Sequence, residues 1–157
     1  MNNKMKHIIM PKNVYQCFIY SAAMVLDTTT ENIINIIGHT GETKVFEGSG
    51  TKCCKGVHYQ ELIDCAMSLG LVLVHIEANP RVGNIHGDSI EVFEPKDGEK
   101  RFTNYITKHK SILTGMYPPN KVHALACDGE YIYDPCGPKE KLKTTMFEIS
   151  SALILIE

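Results

Sequence analysis

The sequence predicts an α+β fold, with N-terminal helices packed on a C-terminal antiparallel sheet. Three observations predict it. Residues 17–26, Cys-Phe-Ile-Tyr-Ser-Ala-Ala-Met-Val-Leu, are almost wholly apolar and contain no Gly or Pro, which suits a buried helix. Helical spacing returns at Tyr59, Leu62, Ile63, Ala66 and Leu69. Further on, Asp128-Gly129 sits between two short apolar and aromatic runs, a strong signal for a hairpin. Helices first and strands afterwards is segregation, not the alternation of a parallel sheet.

Each element has its own justification. Met5 to Met10 reads as a short strand or arm, ended by a turn at Pro11-Lys12-Asn13. The helix from Cys17 carries small residues on one side and suits the centre of a domain. A second helix runs from Glu31 to Ile37, with Thr29 or Thr30 as its cap and Gly38 as its stop. His39 to Gly56 is a glycine-rich loop, and such a long loop is usually mobile or functional. A third helix covers Val57 to Leu69 and ends at Gly70, with Cys65 on its apolar stripe. Leu71 to Glu77 reads as a buried strand. Ser89 to Glu94 is a weaker strand, followed by a turn at Pro95-Lys96-Asp97-Gly98. Phe102, Tyr105, Ile106 and His109 space as a short amphipathic helix. Ile112 to Tyr117 is a strand, Pro118-Pro119-Asn120 a turn into the hairpin, Cys136-Gly137-Pro138 the start of a surface loop, and Ala152 to Ile156 the last strand.

The chain of 157 residues reads as one domain, 1–157, with no repeat or linker. A net charge of −2 without a basic block argues against nucleic acid as the main partner. No apolar run approaches the ~20 residues that span a membrane, and the apolar stretch before Pro11 is too short for a signal-peptide core. The expected location is cytoplasmic, so Cys17, Cys53, Cys54, Cys65, Cys127 and Cys136 read as reduced thiols. Cys53-Cys54 with His58 fits no standard zinc spacing, and no metal or cofactor is expected. A redox or metal element at Cys53-Cys54 is the weakest of the readings that remain.

A two-residue turn at Asp128-Gly129 sets Cys127 opposite Glu130, Ala126 opposite Tyr131, Leu125 opposite Ile132, Ala124 opposite Tyr133 and His123 opposite Asp134. Opposed residues share a face with Cβ atoms about 5 Å apart. A carboxylate there can hold one imidazole nitrogen and leave the other for chemistry. The same pair also occurs as a plain structural hydrogen bond. A nucleophile would decide between the two, and Cys17 opens a buried helix, where the N-terminal partial positive charge favours thiolate. A buried, inert thiol is the ordinary alternative.

The order of Cys, His and Asp resembles the papain-like cysteine peptidases, and most closely the small type that trims bacteriocin leader peptides, including compact bacterial and phage forms. The matching pieces are Pro11 through Cys17 into Ala22-Ala23-Met24-Val25-Leu26, Ile36-Ile37-Gly38-His39, Glu61-Leu62-Ile63 to Leu69-Gly70, and Val122-His123-Ala124-Leu125-Ala126 with Tyr133-Asp134-Pro135. The resemblance implies Cys17 as nucleophile, His123 as base and later acid, and Asp134 as the orienting residue. It implies a papain-like fold, a peptide or protein substrate, and amide cleavage through an acyl-thioester. The family's usual oxyanion Gln falls on Met10 and Pro11 here, neither of which donates a side-chain hydrogen bond. Gln16 and Asn13 are the candidate replacements. The alternative is a catalytically weak or dead papain-like module that binds a peptide or partner protein. Oligomeric state and substrate identity are not legible.

Overall fold

The computed structural model describes residues 4–42, 56–78, 82–83, 92–93 and 97–157. It is an α+β structure in which a six-stranded antiparallel sheet carries helices on both faces. Cys53, Cys54, most of the 39–56 loop and most of the 79–96 stretch lie outside the described residues.

Residues 4–10 form an arm, not a strand. The arm is tied down at three points. Met5 is buried, the Ile8 N–H points to Met24 Sδ at 3.2 Å, and the Met10 N–H donates to the Pro135 carbonyl at 2.7 Å. Helix α1 spans Cys17–Val25. Its apolar run is buried from Ser21 through Val25, because it packs on strands of the sheet and on the next helix. The Ser21 hydroxyl is satisfied by the Ala124 carbonyl at 3.2 Å.

Helix α2, Thr30–Ile37, starts where Thr29 Oγ1 accepts the Asn32 N–H at 3.1 Å and stops at Gly38 with φ 85°. Helix α3, Tyr59–Ser68, is capped by His58, whose Nδ1 accepts the Gln60 N–H while Glu61 accepts the His58 N–H. His58 is thus a capping residue. Leu62, Cys65 and Ala66 form the buried side of α3, as the spacing predicts.

The strands are β1 Val72–Glu77, β2 Val82–Gly83, β3 Val92–Phe93, β4 Ser111–Tyr117, β5 Lys121–Cys127, β6 Tyr131–Tyr133, β7 Glu140–Lys141 and β8 Glu148–Ile156. Helix α4, Gly98–Lys108, precedes β4, and His109 lies just past its end. The main sheet runs β1-β8-β4-β5-β6-β7, and β2 and β3 pair separately. Strand β1 is therefore an edge, and Val72 and Val74 face outward, 51% and 41% exposed. The strand expected at Leu71 to Glu77 is present as β1, but its expected burial is corrected: only Leu73 is buried, and Val72 and Val74 stay exposed. Its valines are β-formers that cover only one face. Strand β8 starts four residues earlier than expected and joins β1 to β4. The expected surface loop after Pro135 contains β7 and a 3-10 turn over Leu142–Thr144.

Alternation along the inner strands sorts two cores. Ile112, Ala124, Ala126, Leu153 and Leu155 face α1, α2 and α3. Leu113, Leu125, Cys127, Ala152 and Ile154 face Phe102 and Ile106 of α4.

The hairpin register also differs from expectation. Ala126 pairs with Tyr133 and Cys127 with Ile132, leaving a four-residue loop of 128–131. Asp128 Oδ1 accepts the N–H groups of Glu130 at 3.0 Å and Tyr131 at 2.8 Å, which closes a wider turn than Asp-Gly alone would. Gly129 is needed for a second reason: a Cβ there would stand 2.5 Å from the Thr107 carbonyl oxygen of α4. The shift is two residues, so side-chain alternation is unchanged.

Candidate active site

His123 and Asp134 meet despite the altered register. Asp134 lies one residue past β6, and the His123 Nε2–H donates to Asp134 Oδ1 at 2.7 Å. Both side chains are buried. The backbone around Asp134 is held from several directions. Its Oδ1 also accepts the Cys136 N–H at 2.7 Å, and its carbonyl oxygen lies 2.7 Å from His7 Nε2. The His7 ring stands edge-on to Tyr133. The N-terminal arm thus braces the carboxylate that holds the imidazole.

With Nε2 given to Asp134, His123 Nδ1 is left for the thiol. Cys17 opens α1 and lines one cleft with His123, whose imidazole favours the Cys17 thiolate, as does the backbone at Ala124 and Phe18. Burial pushes the Cys17 thiol up, but the His123 hydrogen bond and charge outweigh it and hold the thiol below its ordinary value. Burial pushes His123 down, and the bonds to Asp134 and Cys17 more than reverse this, so the imidazole is held above its ordinary value. Asp134 is likewise favoured as carboxylate: burial opposes it, and His123 and the Cys136 N–H prevail. Three opposed shifts describe one charge pattern, thiolate, imidazolium and carboxylate in series.

The pair opens on a cleft of about 730 Å³. Phe18 and Tyr59 form an aromatic wall, their rings edge-on at 5.5 Å. Tyr59 is fixed at both ends: its hydroxyl is 3.1 Å from Thr114 Oγ1 and from Ser151 Oγ, and its ring stacks on His75 at 4.5 Å. Thr114 and Ser151 are themselves hydrogen-bonded. Gly115, opposite His123 in the β4–β5 ladder, lines the same cleft.

The sequence-predicted residues Cys17, His123 and Asp134 come together. The oxyanion candidates do not join them. Gln16 Nε2 donates to Glu42 Oε2 at 3.0 Å, and Tyr15 N–H donates to the other oxygen of the same carboxylate. Asn13 sits in the arm's turn with φ 63°. Neither lines the cleft. Met10, at the place of the missing Gln, is nonetheless close to α1, since its Sδ accepts the Gln16 N–H at 3.3 Å.

Two features escaped sequence reasoning. Tyr59 has a helical-core spacing that says nothing of its hydroxyl. Cys136 reads as a loop residue, yet its sulfur stands with the His123 and Asp134 ligand atoms in a group spanning no more than 4.8 Å. The proximity of Cys136 in sequence to Asp134 was the available signal. Among the described residues, Cys17, Cys65, Cys127 and Cys136 are free thiols, and no helix is long and apolar enough to cross a membrane. No protein-family model matches the chain, and no curated protein matches it.

Proposed function

We propose that this chain is a cysteine-nucleophile hydrolase, a peptidase or amidase of papain-like fold acting on a peptide or protein. The single observation that carries the reading is the Cys17–His123–Asp134 series, in which each partner stabilises the charge the next requires. Cys17 thiolate attacks the scissile carbonyl carbon. His123 gives its proton to the leaving amine, and an acyl-thioester remains on Cys17. Water then attacks that thioester while His123 takes its proton, the C–S bond breaks, and the acid leaves with Cys17 returned as thiolate. Asp134 keeps the ring oriented through both steps. The helix-first, antiparallel-sheet-later arrangement supports a papain-like fold, with α1 presenting the nucleophile against the sheet that carries the base.

The test is alkylation of Cys17 by a small thiol reagent across pH, in chelator, with the modified site mapped by mass spectrometry. Fast alkylation well below the ordinary thiol value of about 8.5, lost in His123→Ala, is the expected result. An ordinary thiol titration curve would count against the reading.

One observation favours a second reading, a peptide-binding module with little or no turnover. The Gln16 amide is committed to Glu42, and among the described residues no side-chain amide lines the cleft beside Cys17. Absence of one such donor typically costs about 100- to 1,000-fold in rate. Met10→Gln separates the readings, because the Met10 side chain already reaches the residue before the nucleophile. A rise in turnover of at least about tenfold is expected of a hydrolase. No gain, with no loss in Cys17→Ala, would favour the binding module.

A further inference from the structure

Cys136 is exposed and takes no part in the relay through its side chain, yet its thiol stands beside it. Its backbone N–H donates to Asp134 Oδ1 at 2.7 Å, which holds Cys136 against that carboxylate. His123, Asp134 and Cys136 offer one nitrogen, one oxygen and one sulfur within 4.8 Å of one another. That is the donor set and compactness of a three-ligand site for a thiophilic divalent cation, with water as the fourth ligand.

We propose that His123, Asp134 and Cys136 form an inhibitory binding site for a zinc-class divalent cation. The sulfur selects against magnesium and calcium, which take oxygen ligands. Binding converts the Cys136 thiol to a metal-bound thiolate and releases its proton to solvent. His123 ligates through Nε2, so the imidazolium gives up its Nε2 proton and keeps a proton on Nδ1. A ring so held cannot accept the Cys17 proton, and its bond to Asp134 is replaced by the shared metal. His123 and Asp134 are buried and adjacent; their hydrogen bond opens to admit the ion, and the exposed cysteine closes on it. Inhibition as the consequence rests on the hydrolase reading; the binding itself does not.

The experiment uses the full chain, with Zn²⁺ titrated by calorimetry and Co²⁺ followed by absorption. The expected result is one Zn²⁺ per chain and a near-ultraviolet thiolate-to-cobalt band. Cys136→Ser should weaken Zn²⁺ at least about tenfold and abolish the band. Cys17→Ala and the double variant Cys53→Ser/Cys54→Ser should keep both. No stoichiometric binding by the wild type overturns the proposal. So does unchanged affinity in Cys136→Ser, or binding that follows Cys17 or the Cys53-Cys54 pair instead. These readouts need no turnover, so a negative result leaves the Cys17 alkylation profile, and the hydrolase reading tested by it, untouched.

Discussion

Asp134 Oδ1 accepts two hydrogen bonds, from His123 and from the Cys136 N–H, and that pairing fixes the plane of the imidazole. Asp134→Ala removes the acceptor, and turnover in the proposed hydrolysis should fall on the order of 100-fold or more. The pH behaviour follows from the directions of two shifts. As pH falls through the lowered value of Cys17, the thiolate is protonated and alkylation declines. As pH rises through the raised value of His123, the imidazolium loses its proton but the thiolate persists. Alkylation should therefore plateau at high pH, whereas the proposed hydrolysis, which would use the imidazolium as acid, should be bell-shaped. Parallel profiles on one preparation would check both. The three residues of the series were legible in the sequence because their chemistry is carried by residue type and order. The position of Cys136 was not, because it comes from a backbone turn that folds the residue back onto Asp134.

The hairpin shows what turn chemistry can and cannot say. Asp128-Gly129 marks the reversal correctly, but the side chain of Asp128 captures two backbone N–H groups and widens the loop. The register moves by two as a result, and no residue spacing announces that. Burial alone would raise the Asp128 carboxyl, and the hydrogen bonds from Tyr131, Tyr133 and Glu130 hold it below its ordinary value. A depressed carboxyl stabilises the fold above its unfolded value and loses that contribution as pH falls through the folded one. Asp128→Ala should thus destabilise at neutral pH, by about 1–2 kcal/mol for the lost hydrogen bonds, with the difference shrinking in acid. Denaturant titrations at two pH values measure it. At the bulge between Thr114 and Gly115, a Cβ on residue 115 would lie 1.9 Å from the Glu148 carbonyl oxygen. Gly115→Ala should cost about 3 kcal/mol or more and disturb the cleft beside His123. The edge position of β1 was hidden for a related reason: Val-rich runs look alike whether one face is covered or two.

Across the whole molecule, the sheet divides two apolar layers, and the relay lies where the layer of α1 meets the strand end at His123. The arm of residues 4–10 closes the longest loop in this arrangement, reaching Asp134 and Pro135 from the opposite end of the sequence. Met5 anchors it in the core at 5% exposure. Met5→Ala should therefore cost about 2–4 kcal/mol, measured by chemical denaturation. The same substitution should also slow Cys17 alkylation, because the brace on Asp134 loosens. The segregation of helices and strands was legible in the sequence. The two-sided covering of the sheet was not, since α4 looks like any short surface helix until β4 and β8 are seen to bury its apolar stripe. Strand β8 lies between β1 and β4 although it is made after both. On the ribosome, then, β1 and β4 both emerge before the strand that comes to lie between them. A nascent chain halted before residue 148 would hold Cys17, His123 and Asp134 and still have β1 and β4 unjoined.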